Sequence, residues 1–326
     1  MQKKGSWIVV FVLIISVFLS ACGSDSEEIV SSDKKGAQKG AIVVEFKDGK
    51  VTEEEYETIL NVTRVMEQDY QKYEAEKDFK KNLIEQVIAA EMAEKKLSES
   101  KKAEVKQEFK RSFATYLQNY NQRNGEGAFE KRMSEFKVGQ AEVDSVLLQR
   151  AFLDKYLKSL ITDKDKQLKY DQLLKSGELK KTLANVAHIL IATFENQPNQ
   201  RKKEDALKKA KDVLGELRAG GNFAELAKKY SDDKGSAVTG GELGESDVNK
   251  WVPEFAQAAT TLPLNQISEP IETQFGYHIL KVLSRKDSNY TLSEIEEPLV
   301  NDLAREQLVN FLEKEVKPNI TKNNLK

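Results

Sequence analysis

The chain has 326 residues, with 51 basic against 53 acidic side chains, a formal net charge of −2 and 32% charged residues. So even a balance offers no basic stripe of the kind a nucleic-acid binder uses, and a single cysteine leaves no intrachain disulfide, so the fold rests on burial. The length gives room for two domains, each with its own core.

Lys3 and Lys4 precede an apolar run from Trp7 to Phe18 that is too short for an ordinary membrane span. Residues 1–21 therefore read as a targeting segment that does not belong to the fold. The run ends in Leu19-Ser20-Ala21-Cys22, followed by Gly23. These residues resemble a bacterial lipoprotein lipobox, which implies acylation of the Cys22 thiol and cleavage just before it. The alternative is a plain secretory signal with an incidental cysteine. Residues 22–40 are mainly Ser, Asp, Glu, Lys and Gly and read as a flexible tether with little to bury.

Residues 41–182 read as a mostly helical N-terminal domain. Ala41 to Phe46 forms one short strand, Asp48-Gly49 a turn, and Thr52 with Glu55 a capping box that opens a helix. Tyr56, Ile59, Leu60, Val62, Met66 and Tyr70 follow at helical spacing, and similar stripes recur in FKKNLIEQVIAAEMAEKKL, in VKQEFKRSFATYLQNY and from Val143 to Ile161. Such stripes are the inner faces of a bundle or, functionally, a groove that grips unfolded polypeptide. The charged runs between them are solvated faces.

The texture changes at Leu183. LANVAHILIATF has the length and β-branching of a strand, and QPNQ breaks it. A helix with Ala206, Leu207, Ala210, Val213, Leu214 and Leu217 on one face follows, then the short helix FAELAKKY and a glycine- and charge-rich loop from Ser231 to Glu245. A third short helix holds Pro253 in its first turn, and NQISEPIET and GYHILKVLS read as two strands. The order β, α, α, α, β, β over 183–286 predicts an α+β domain. Residues 287–326 return to a helical pattern with Ile295, Leu299, Leu303, Leu308, Phe311 and Leu312. A lone helix of this kind is not stable, so it is expected to pack on the N-terminal helices, leaving the α+β domain as an insertion.

Both histidines of the chain, His188 and His278, sit in apolar strands at the two ends of this insertion. NVAHILIAT, FAELAKKYSDD, GGELGE, VPEFAQAA and TQFGYHILKV, in this order, resemble a parvulin-type peptidyl-prolyl cis/trans isomerase. The whole plan of lipobox, tether, helical domain, parvulin and C-terminal helix resembles the PrsA family of extracellular foldase lipoproteins. The resemblance implies a parvulin (FKBP-like) α+β domain inserted in a mostly α-helical chaperone-like domain. It places His188 and His278 side by side beneath the site, Asp233 facing the substrate carbonyl, Thr273 in the imidazole network, and Leu243, Trp251, Phe255 and Phe275 around a proline pocket. Trp251, Phe275 and Ser246 depart from the commonest residues at their positions, which bears on pocket size and sequence preference.

Each residue also has a plainer role. The histidines can be a satisfied core network rather than proton-transfer groups, the aromatics ordinary core, and Asp233 a cap or turn residue. GGELG lacks the Lys-Ser or Lys-Thr of a phosphate loop. Arg201, Lys202 and Lys203 open a helix rather than lining an Arg-rich insert, so phosphoserine specificity is not expected. Isomerisation breaks no bond, so it requires no metal, cofactor or nucleophile. The resulting expectation is a lipid-anchored foldase on the extracytoplasmic face of the cell membrane, acting on unfolded or partly folded exported proteins. The alternative is a non-catalytic holdase that uses the parvulin fold as a peptide-binding scaffold. A groove on the helical domain would serve a homodimer as well as a client, whereas a solute-binding lipoprotein would need two larger α/β lobes.

Overall fold

The computed structural model describes residues 40–67, 69–75, 78–193 and 201–324. The targeting segment 1–21, Cys22 and all of the tether but its last residue lie outside the described residues. The elements begin with β1 (Ile42–Phe46), β2 (Gly49–Thr52), α1 (Glu53–Met66), α2 (Tyr70–Glu74), α3 (Phe79–Lys96), α4 (Glu99–Asn124), α5 (Ala128–Glu135), α6 (Gln140–Ser159) and α7 (Asp163–Ser176). Next come β3 (Lys180–Ala192), α8 (Lys203–Arg218), α9 (Phe223–Tyr230), α10 (Lys234–Ala237), β4 (Glu242–Asp247), α11 (Pro253–Thr261), β5 (Ile271–Thr273) and β6 (Gly276–Asn289). The chain closes with α12 (Glu296–Phe311), a π-helical turn (Leu312–Val316), α13 (Lys317–Asn319) and β7 (Ile320–Asn323).

Two units divide these elements: one runs to Gln167 and resumes at Glu296, and the other is Leu168–Ile295, so the division falls inside α7. The first unit is a helical body with a small sheet of order β2-β1-β7. Its core gathers Val44, Val51, Ile84, Ile88, Phe129, Leu147 and Leu308, all fully buried. The capping box forms as the sequence suggests: Glu55 N–H donates to Thr52 Oγ1 at 3.3 Å and Thr52 N–H to Glu55 Oε2 at 3.0 Å, satisfying two donors at the α1 start. Phe311 of α12 meets Tyr156 of α6 with ring centroids 5.3 Å apart, so the C-terminal helix buries its stripe on the N-terminal helices.

Two strands of this unit differ from the sequence reading. β2 follows the turn at once and ends in Thr52, which also caps α1, so four residues leave no room for an alternating pattern. β7 pairs antiparallel with β1, Val44 opposite Asn323 and Phe46 opposite Ile320. Only one of its residues is apolar, so the sequence IleThrLysAsn shows no strand signal.

The second unit is a four-stranded antiparallel sheet of order β4-β3-β6-β5. One face carries Ile189, Ile191, Tyr277 and Ile279 under α8 and α9. The other carries Ala184, Val186, Leu280 and Val282 under α11, with Phe255 and Ala259 completing the core. Here too the structure corrects the reading. The expected loop from Ser231 to Glu245 contains α10 and the start of β4, an exposed edge strand too polar and too rich in glycine to announce itself. The expected strand NQISEPIET shrinks to Ile271–Thr273 plus a single bridge from Ile267 to Lys281, because Pro270 has no N–H to give a ladder.

Candidate active site

The long β3–β6 pairing brings the two histidines together. His188 lies opposite Leu280 and His278 opposite Leu190, so the imidazoles are diagonal neighbours on one sheet face. Their rings stack with centroids 5.4 Å apart and planes 17° apart, and the two Nδ1 atoms are 3.2 Å apart. His188 Nε2 lies 2.8 Å from Asp233 Oδ2, and His278 Nε2 lies 2.9 Å from Thr273 Oγ1. The four catalytic candidates therefore form one hydrogen-bonded line, Thr273–His278–His188–Asp233.

The charges set the direction of every proton in that line. Burial pushes Asp233 up, but the hydrogen bonds from Ser236 and His188 outweigh it and leave the carboxyl below its ordinary value, hence ionised. Burial holds the His188 imidazole down against the pull of Asp233. Burial, with His188 beside it, lowers His278 to about 4, so both rings are neutral near pH 7. An ionised carboxylate only accepts, so His188 carries its proton on Nε2 and presents a bare Nδ1. His278 must then donate from Nδ1, which leaves its Nε2 to accept the Thr273 hydroxyl proton. Thr273 Oγ1 in turn accepts from Phe275 N–H at 3.1 Å. The network itself assigns these tautomers.

Phe255 of α11 stands edge-on to both imidazoles, 5.6 Å from the His188 ring and 5.2 Å from the His278 ring, and is 4% exposed. Pro253 opens α11 at its first turn, which aims Phe255 at the sheet. Trp251, just before that helix, packs T-shaped on Phe255 at 5.1 Å. The other two pocket candidates are more open: Leu243 on β4 is 37% exposed and Phe275, in the β5–β6 turn, 51%. Ser246 sits on β4 opposite Ala184. Cys22 lies outside the described residues.

Asp233 is a helix cap and also joins the imidazole line. Its Oδ1 accepts from Gly235 N–H at 3.1 Å as the cap of α10, while its Oδ2 faces His188. Of the three basic residues at the start of α8, Lys202 is its N-cap, Arg201 pairs with Asp232, and Lys203 pairs with Glu272 at 2.6 Å. Two residues escaped the sequence reading. Ser236 donates to Asp233 Oδ2 at 2.5 Å and lies 3.0 Å from His188 Nε2. Gly241 offers the carbonyl that accepts His188 N–H at 2.9 Å. The available signal was the spacing of a serine three residues after a capping aspartate, one helical turn on.

The chain is similar to known proteins over most of its length. The family model described as the PPIC-type PPIASE domain matches residues 171–286. A foldase protein PrsA of Exiguobacterium sibiricum is 31% identical over 314 residues, covering 94% of this chain and 84% of its own. The chain belongs to the PrsA foldase family. A second PrsA, of Caldanaerobacter subterraneus subsp. tengcongensis, is 29% identical over 303 residues, 88% of this chain and 89% of its own. The chaperone SurA of Methylococcus capsulatus is 44% identical over 116 residues, 35% of this chain but only 24% of that chaperone. This PrsA-family chain is thus a parvulin-type peptidyl-prolyl cis/trans isomerase, with the α+β isomerase domain set between two stretches of a helical one.

Proposed function

We propose that this foldase is anchored by a lipid on Cys22 at the extracytoplasmic face of the cell membrane, where it holds incompletely folded exported chains and isomerises their X-Pro bonds. The lipobox-like LSAC sequence after a short apolar run supports the anchor. The observation that carries the catalytic part is the line Thr273–His278–His188–Asp233 lying against Phe255.

Resonance opposes amide rotation by about 18–20 kcal/mol, and uncatalysed X-Pro isomerisation takes tens to hundreds of seconds. A site speeds it by favouring the twisted amide over the planar one, with no covalent step. In this reading Phe255 and Trp251 seat the proline ring, with Leu243 and Phe275 at the rim. The buried, neutral imidazole pair holds the Asp233 carboxylate beside the substrate carbonyl. That carboxylate repels the negative end of the planar amide dipole, which weakens as rotation breaks resonance, so the ground state is disfavoured relative to the twisted state. The imidazoles act through position and not by proton transfer, which suits rings held neutral. Arg201 and Lys203 are engaged by carboxylates of their own unit, so the proposal does not extend to phosphorylated substrates.

The test is prolyl isomerisation of X-Pro peptides by the protein beginning after Cys22, together with its ability to suppress aggregation of an unfolded client. Acceleration is expected, as is labelling of the full chain by a fatty-acid probe that disappears in Cys22→Ala. Suppression of aggregation without acceleration would replace the catalytic reading with that of a holdase, and probe incorporation unchanged in Cys22→Ala would overturn the anchor.

A further inference from the structure

The hydroxyl of Ser236 is bound into the site at two points. It donates to Asp233 Oδ2 at 2.5 Å, and its oxygen lies 3.0 Å from the His188 Nε2, whose proton is directed at the same carboxylate. Ser236 is 7% exposed, so these bonds are sheltered from water. Its main chain is tied in as well: the Ser236 carbonyl accepts from Gly241 N–H at 2.8 Å and from Thr239 Oγ1–H at 2.8 Å. Gly241 passes the constraint on, since its own carbonyl accepts His188 N–H at 2.9 Å. Gly241 has a φ of +85°, and a Cβ there would come within 2.3 Å of the His188 carbonyl oxygen, so only glycine fits this close approach. The stretch from Asp233 to Gly241 is therefore a clamp that grips His188 by ring and by backbone.

We propose that Ser236 is a positioning residue for the isomerase: its hydroxyl turns the Asp233 Oδ2 toward His188, which in turn sets the tautomers of both imidazoles. Without that donor, Asp233 keeps, among the described residues, His188 Nε2–H on Oδ2 and Gly235 N–H on Oδ1. The other charged groups around the loop are engaged elsewhere. Lys234 Nζ donates to the Ser231 carbonyl at 2.7 Å, Asp232 pairs with Arg201, and His278 reaches Asp233 only through His188. Among the described residues, no neighbouring cation thus replaces the lost hydroxyl.

This inference rests on the reading of Asp233 as part of the catalytic site, and the experiment separates the two. The kcat/KM of the full chain in detergent is followed against pH for wild type, Asp233→Ala, Ser236→Ala, Ser236→Thr and Ser236→Cys. Ser236→Ala is expected to lose about tenfold, as for one hydrogen bond to a charged group, and to move the acid limb of the profile upward. Ser236→Thr keeps the hydroxyl and returns the limb to its wild-type position. Ser236→Cys keeps size and burial with a weaker donor, so its limb also moves up, and it decides the matter if the alanine variant does not fold. An acid limb unmoved in the alanine and cysteine variants, or a threonine variant that behaves like alanine, overturns the proposal while leaving the site reading intact. Wild-type activity in Asp233→Ala overturns the site reading itself, and the role of Ser236 with it.

Discussion

Acid should unfold the isomerase unit through its histidines, with a magnitude set by His278. Burial, reinforced by the neighbouring His188, lowers this imidazole from 6.5 to about 4. Between those values the unfolded chain takes up a proton that the folded chain refuses, so stability is fully present above pH 6.5 and falls as the pH drops toward 4. At 1.36 kcal/mol per unit, going from pH 7.5 to 4.5 costs about 2.5 kcal/mol for this group alone. His188 is also lowered by burial and adds to the loss in the same direction. The assay is urea unfolding at both pH values, followed by Trp251 emission, since the other tryptophan, Trp7, precedes Cys22 and is absent from the shortened protein. Carboxylates elsewhere titrate in the same window, so the informative quantity is the comparison with His278→Asn. That variant loses about 2.5 kcal/mol less between the two pH values than wild type does. Equal losses to within about 0.5 kcal/mol, or an imidazole signal of His278 titrating near its ordinary value, would refute the reasoning.

The same structure makes other expectations. Phe255→Ala removes a ring buried against both imidazoles and should destabilise the isomerase unit by about 3–5 kcal/mol in urea unfolding. Gly241→Ala sets a Cβ against the His188 carbonyl and should cost more than about 2 kcal/mol by the same probe. Thr52→Ala breaks the capping box of α1, should cost about 1 kcal/mol, and leaves peptide isomerisation unchanged. Imidazole nitrogen NMR should show two neutral rings at pH 7, His188 protonated on Nε2 and His278 on Nδ1; two rings with the same tautomer would contradict the assigned network.

Those elements whose pattern depends on burial were legible in the sequence. The stripe Tyr56–Ile59–Leu60–Val62 announces α1, and the β-branched run around His188 announces β3, because each element must hide one face. β2, β4 and β7 were not legible, being short or edge strands held by backbone pairing, which their side chains do not advertise. The site divides in the same way. Phe255 and the two histidines could be located by analogy, but the contact of Ser236 with His188 depends on how α10 turns after its Asp233 cap. The exposure of Leu243 and Phe275 was equally out of reach, because pattern alone does not tell an apolar residue at a rim from one in a core.

The most direct measurement of the central claim is prolyl isomerisation of a panel of X-Pro tetrapeptides by the protein beginning after Cys22, beside Asp233→Ala and Phe255→Ala variants shown to remain folded. The account predicts acceleration by the unmodified protein and a fall of at least about tenfold in each variant, the first through lost electrostatic positioning and the second through the lost seat for the proline ring. Acceleration that persists unchanged in both variants would contradict it, and would place the catalytic site somewhere other than the line from Thr273 to Asp233.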